Sequence, residues 1–152
     1  MNNTIRLKFI SLGHFNIFDY DLSKSNSFAI IMLEETLEPL QVDPYAPNIL
    51  RTFVSRVKHG YRPQNPYHKW EHGISVMHIA YMMTSAGGVG TYLPPLDRFS
   101  ILIAACGHDI GHPGTNNTFE VNKNIYATPK GSDLALCYND QSVLENYHAA
   151  RT

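Results

Sequence analysis

Leu96-Asp-Arg-Phe-Ser-Ile-Leu-Ile-Ala-Ala-Cys-Gly-His-Asp-Ile110 is apolar on nearly all sides through Ile101–Cys106, then turns abruptly to His108-Asp109. Such a run reads as a buried central helix. An imidazole and a carboxylate closing it are costly to bury unless they are paired or bound to a metal. A hydrogen-bonded structural pair is the alternative. Gly111-His-Pro-Gly114 then ends the segment.

Outward from this run the pattern remains helical. Residues 26–37 read as a helix opened by a polar cap, and Pro39, Pro44 and Pro47 break the chain after it. Ile49, Phe53 and Val57 recur every four residues, which predicts an amphipathic helix. Tyr61–Pro66 is a turn-rich loop. From Tyr67 to Met83, residues His72, Val76, Ile79 and Met83 fall on one helix face, a histidine at its start and apolar contacts behind it. Residues 117–127 suit a short helix and 132–138 a further turn or two. Asp140 or Ser142 caps a last helix that reaches Thr152 with no stop signal and looks cut. Strand-like alternation is scarce, so the fold class is all-α.

The 152 residues suit one domain. A net charge of −1 offers no electrostatic footprint for nucleic acid, so an anionic substrate would have to be held locally, by metals. Cys106 and Cys137 lack the spacing of a metal or redox motif and read as two buried thiols in a reducing compartment. The N-terminus lacks a secretory pattern, and the longest apolar run, Phe28–Leu33, is too short to insert in a membrane; the expected location is cytoplasmic.

Six of the eight histidines lie from His59 to His112. His68 and His72, four apart, would share a helix face. His68-Lys-Trp-Glu-His72 also matches H-x-x-E-H, in which both histidines bind zinc and the glutamate is the base of a metalloprotease. That reading leaves His108, Asp109, His112 and Glu145 idle, whereas ligands spread over several helices would use them all. Glu145 has a plain alternative, because Ser142-Val-Leu-Glu145 fits a capping box.

Asn65-Pro-Tyr-His-Lys-Trp-Glu-His72, Ala104-Ala-Cys-Gly-His-Asp-Ile-Gly-His-Pro-Gly-Thr-Asn-Asn117 and Leu134-Ala-Leu-Cys-Tyr-Asn-Asp-Gln-Ser-Val-Leu-Glu-Asn-Tyr-His148 resemble, in order, three motifs of the class I 3′,5′-cyclic-nucleotide phosphodiesterases, of the HD-type metal phosphohydrolase superfamily. Phe15-Asn-Ile-Phe-Asp-Tyr20 resembles the stretch that opens their catalytic domain. The resemblance implies a compact multi-helix bundle, truncated: residues 1–12 are an N-terminal extension and 13–152 the N-terminal part of the catalytic domain, its C-terminal half absent. It implies hydrolysis of cAMP, cGMP or both to 5′-nucleotides by a two-metal-activated hydroxide. His72, His108 and Asp109 would ligate a tightly held Zn²⁺, with Asp109 bridging to Mg²⁺ or Mn²⁺. His68 would be the general acid, oriented by Glu145. His112 and Asn117 would act around the centre on metal-bound water and packing, and Tyr67 and His68 would border the substrate. A non-catalytic metal-binding or interaction remnant is the second reading; the fragment alone is expected to be inactive.

Some residues depart from the motifs. Lys69 stands where asparagine is usual, and Trp70 and Glu71 are bulkier or more charged than in many relatives. Gly111 replaces a second acidic residue, and Tyr147 a histidine.

Overall fold

The computed structural model describes residues 25–40, 46–85, 88–123 and 131–152. Among them are seven α-helices and no strand: α1 Ser25–Leu37, α2 Ala46–Gly60, α3 Trp70–Ser85, α4 Pro95–Gly107, α5 Asn117–Asn122, α6 Asp133–Cys137 and α7 Val143–Arg151, with 3₁₀ turns at Glu38–Leu40 and Gly88–Thr91. The all-α expectation holds. The Phe15–Tyr20 stretch, the boundary expected at residue 13 and Pro44 lie outside the described residues, as does the stretch of the 117–127 helix beyond residue 123.

α3 lies along α4, and α1 packs on α2, α3 and α4. The core between them takes Met32 and Leu33 from α1, Leu50 and Val54 from α2, Ile74 and Met77 from α3, and Leu102 and Cys106 from α4. Burying side chains of this size stabilises the fold by about 1.5–3 kcal/mol each. The three short helices α5–α7 pack on one another and close over the end of α4.

Three expected registers shift. In α2 the covered stripe is Leu50, Val54, Val57 and then Tyr61; of the expected residues Val57 is buried and Phe53 is half-buried against the core, while Ile49 is 67% exposed. Two apolar stripes overlap in this sequence, and the one that ends in Tyr61 wins because Tyr61 reaches the end of α4. In α3 the covered stripe is Trp70, Ile74, Met77, Tyr81 and Thr84. The face read from His72 through Ile79 and Met83 is largely open, with Met83 63% exposed. α3 also begins at Trp70 rather than Tyr67, so His68 precedes the helix. α4 is not covered all round: Leu102, Ala105 and Cys106 are buried, but Leu96, Ile101 and Ala104 are exposed. Cys137, read as a buried thiol, is exposed as well, while Cys106 is buried with its thiol pushed up to about 12 by desolvation. No described helix is long and apolar enough to cross a membrane.

The device that places the site is the crossing of α2 with the end of α4. Gly111 N–H donates to Gly60 O at 2.9 Å. Tyr61 Oη donates to Cys106 O at 2.9 Å and accepts from Asp109 N–H at 3.4 Å. Gly73 of α3 makes room for it, since a Cβ there would stand 2.8 Å from the Tyr61 oxygen. Tyr61→Phe leaves a buried carbonyl unpaired and should lower unfolding free energy by about 1–3 kcal/mol in urea titrations. Gly73→Ala should destabilise the wild type more than it does the Tyr61→Phe protein; equal losses in the two backgrounds would show that the hydroxyl and the glycine are not coupled.

Candidate active site

An α-helix leaves its last carbonyls without helical partners. At the end of α4 they are taken by residues of the site. His108 Nδ1 donates to Ala105 O at 2.8 Å, Tyr61 Oη to Cys106 O, and Thr152 Oγ1 to Gly107 O at 3.0 Å. The bond to Ala105 leaves Nε2 of neutral His108 as a lone pair. That atom faces His72 Nε2 at 3.3 Å and Asp109 Oδ2 at 3.1 Å, and His72 Nε2 lies 3.3 Å from the same oxygen. Asp109 Oδ2 is buried and accepts no hydrogen bond.

Three atoms able to ligate a cation therefore converge on one point. Ligands 2.0–2.1 Å from a tetrahedral ion stand about 3.3 Å apart, while cis ligands of an octahedral ion at that range stand about 2.9 Å apart. Two of the observed separations, at 3.3 Å, match the tetrahedral value and the third, at 3.1 Å, lies between the two, and the three residues form a group suited to a metal ion. The electrostatics agree for two of them. Burial and the neighbouring His108 keep His72 below its ordinary pKa, favouring the neutral ligand. Burial alone would raise Asp109, but contact with His108 and the fields of His68 and His112 hold it below the usual carboxylate range. For His108 the balance goes the other way: burial lowers it, and the Asp109 carboxylate and the Ala105 carbonyl together raise it.

His112 is different in kind. Gly114 N–H donates to its Nδ1 at 3.0 Å, so neutral His112 carries its proton on Nε2 and presents a donor. Burial and the nearby His68 lower its pKa to about 4, so it stays neutral. His148, absent from the sequence-based set, is buried, bonds Ile110 O through Nδ1 at 2.9 Å, and sets Nε2 4.0 Å from Asp109 Oδ1. Asp109, His112 and His148 form a second close group. The two oxygens of one carboxylate thus face two clusters.

The fold brings His68 to the same place by a route other than helical spacing. Its ring stacks on His112, with centroids 3.9 Å apart and planes at 5°, and meets His72 edge-on at 5.8 Å. Buried Asn65 holds the two segments together, its Nδ2 donating to His68 O and to His112 O at 2.9 Å each. Neither Asn65 nor Tyr61 is singled out by sequence chemistry, because each acts through a backbone carbonyl 45 or more residues away, Cys106 O for Tyr61 and His112 O for Asn65. Tyr67 is 57% exposed, with its ring tilted 4.4 Å from His72.

His68, His108, Asp109, His112, Glu145 and His148 line one cavity of about 600 Å³. Glu145 is held by Asn117, whose Nδ2 lies 2.9 Å from Oε2 and 3.3 Å from Oε1; this bond lowers the carboxyl pKa. The capping-box alternative fails. Ser142, at φ 43°, makes no side-chain cap, and Asn117 Oδ1 accepts the Leu144 N–H at 2.9 Å in its place. Glu71, the base of the H-x-x-E-H reading, lines a different cavity.

Residues 67–152 match the family described as 3′,5′-cyclic nucleotide phosphodiesterase. The chain is 38% identical over 130 residues to the 3′,5′-cyclic-nucleotide phosphodiesterase regA of Dictyostelium discoideum, covering 78% of this chain and 16% of that protein. It is 42% identical over 106 residues to the dual specificity calcium/calmodulin-dependent 3′,5′-cyclic nucleotide phosphodiesterase 1 of Drosophila melanogaster, 69% of this chain and 12% of the relative. With the human high affinity cAMP-specific and IBMX-insensitive 3′,5′-cyclic phosphodiesterase 8A it shares 39% over 101 residues, 66% and 11% of the two chains. The chain thus spans no more than 16% of the length of these relatives.

Zn²⁺ titrated into the protein should bind with proton release, because the raised His108 must lose its proton to become a ligand. Calorimetry in two buffers of different ionisation heat measures that release, and affinity should fall as pH drops from 7.5 to 6. Asp109→Asn should weaken binding at least about 100-fold, while His112→Ala, which removes a donor rather than a ligand, should fall in the range of about 10–100-fold.

Proposed function

The chain belongs to the 3′,5′-cyclic-nucleotide phosphodiesterase family, and from that premise we propose that it hydrolyses cAMP, cGMP or both to the 5′-nucleotide. The observation that carries the reading is that one cavity is lined together by His108, Asp109, His68 and Glu145. His72, His108 and Asp109 would hold Zn²⁺, a reading supported by their convergence within 3.1–3.3 Å and by their imidazole and carboxylate chemistry. Asp109 Oδ1, on the side of His148, would face the more weakly held Mg²⁺ or Mn²⁺. When bound, such ions lower the pKa of water and neutralise charge on phosphoryl oxygens.

Ring opening breaks the bond between phosphorus and O3′ and forms one to a water oxygen. The water proton must leave on one side of phosphorus, and the O3′ alkoxide must gain one on the other. His68 is the residue proposed to supply it. Stacking on His112 fixes its plane, and Asn65 fixes the backbone that carries it. Glu145, kept ionised by Asn117, is proposed to orient His68. His112, with its proton on Nε2, is proposed to donate to solvent at the centre, while Asn117 holds Glu145 and the start of α7. Tyr67 borders the substrate. Residues 13–152 are proposed to act as the N-terminal part of a catalytic domain; support comes from the many-fold longer relatives and from the bare Ile101 and Ala104 beside the cavity.

The assay uses cAMP and cGMP with Zn²⁺ and Mg²⁺, on the 152-residue chain and on the longest polypeptide that contains it, with chromatography of the nucleotide product. Turnover to the 5′-nucleotide is expected in the longer polypeptide. There His68→Ala should lower kcat by about 10²–10⁴-fold with zinc content unchanged. Undiminished turnover in His68→Ala would remove it from the acid role, and turnover intact in His108→Ala would sink the metal-dependent reading.

A further inference from the structure

Glu120 of α5 lies outside the three motifs and has no part in the proposed chemistry, yet it is only 2% exposed. A carboxylate so placed is costly unless its oxygens are met. Burial alone would raise its pKa, but hydroxyl bonds from Ser132 and Thr115 and the fields of Lys123 and Arg62 hold it below the usual carboxylate range. Ionised, it can only accept, so both hydroxyls donate to it. The two bonds lead to different places. Ser132 caps α6 by accepting the Ala135 N–H, and its own N–H donates to Glu120 O at 2.8 Å, so that arm joins α5 to α6. Thr115 Oγ1 donates to Glu120 Oε1 from the loop between His112 and α5. A tie between two short helices explains the first bond and does not require the second.

That loop carries the hydrogen bond that decides the tautomer of His112. The donor is the N–H of Gly114, an exposed residue at φ 89°. Glycine loses more conformational freedom on ordering than any other residue, so this donor keeps its place only if the chain on both sides of it is held. Upstream, the buried Asn65 side chain holds His112 O at 2.9 Å. Downstream, the nearest side-chain hold is Thr115, and its partner is the buried carboxylate. A hydrogen bond to an ionised acceptor is about twice as strong as one between neutral groups, which suits the anchoring of such a loop. We propose that Glu120 is a positioning residue: acting through Thr115 Oγ1, it keeps the Gly114 N–H on His112 Nδ1 and thereby keeps the His112 proton on Nε2. The use of that proton rests on the proposed function; its placement does not.

Long-range proton–nitrogen NMR of the protein with ¹⁵N-labelled histidine reads the tautomer directly, the His112 signals being those lost in His112→Ala. Near neutral pH, where burial and the nearby His68 keep His112 uncharged, the wild type should carry the proton on Nε2 alone. Thr115→Val keeps the shape and removes the donor, and should replace this pattern with a mixture of the two neutral tautomers. Thr115→Ser should restore it. Glu120→Leu should match Thr115→Val, and the Thr115 pair decides the matter even where Glu120→Leu fails to fold. Ser132→Ala cuts the arm that does not reach the loop, so it should lower the melting temperature and leave the tautomer alone. The proposal is overturned if Thr115→Val keeps the proton on Nε2 alone, or if Ser132→Ala disturbs the tautomer as much as Thr115→Val does. In the longest polypeptide that contains the chain, Thr115→Val should lower kcat about tenfold with KM held. An unchanged kcat beside a displaced proton would remove His112 from the proposed mechanism and still support the role of Glu120 in placing that proton.

Discussion

The Tyr61 hydroxyl is the point on which the site's geometry depends. It closes the buried stripe of α2, caps the Cys106 carbonyl at the end of α4 and takes the Asp109 N–H from the turn that follows. Burial pushes the phenol far above its ordinary value, so the proton needed for the Cys106 bond is always present. The same contact fixes the end of α2 against the turn that follows α4, because Gly60 and Gly111 meet beside it through a backbone hydrogen bond. Added bulk on any of the three elements would move the Asp109 turn: a Cβ at Gly60 would strike Ile110, and one at Gly73 would strike Tyr61.

From that anchor the chemistry follows by proton accounting. Carbonyls at a helix end need donors, and in this fold imidazoles supply some of them. His108 donates its Nδ1 proton to Ala105 O and His148 donates its own to Ile110 O, so each turns its Nε2 toward Asp109. His112 is bonded the opposite way, accepting from Gly114, and so becomes a donor. Three histidines around one carboxylate acquire two roles from backbone geometry alone. The positive φ of Gly111 and Gly114 permits these bends, and the Tyr147 hydroxyl occupies the space that a side chain at position 111 would need. Two departures from the family motifs, Gly111 and Tyr147, are therefore one steric arrangement.

The site was legible in the sequence where chemistry is local. His108 and Asp109 stand out because ionisable groups that end an apolar run demand partners, and His72 through its spacing from His68 and the motif resemblance; the structure brings those three together. Registers were less legible, because α2 and α3 each carry two apolar stripes and only the tertiary fold decides which is covered. Ile49 and Met83 were assigned to the wrong side for that reason. α4 shows the related limit: an apolar circumference does not say which of its sides is packed. Asn65, Tyr61 and His148 escaped notice because their partners lie 38 to 48 residues away in the chain.

The end of the chain shows how a motif can be right while its local explanation is wrong. Tyr138-Asn-Asp-Gln-Ser142 looks like a helix start, yet its first part is a helix stop. Asn139 is left-handed at φ 52°, and Asp140 N–H returns to Ala135 O at 2.9 Å while Asn139 N–H reaches Leu136 O, the paired bonds that close α6. Asn and Asp tolerate the left-handed region better than most residues, which accounts for their presence there. Ser142, also left-handed, is then turned away from capping α7, so the orphan N–H of Leu144 is met by Asn117 across the fold. The same Asn117 side chain offers its amide protons to Glu145. One residue thus substitutes for the missing cap and fixes a carboxylate beside the cavity. Because that partner is a neutral amide rather than a cation, it holds the carboxylate without offsetting its charge.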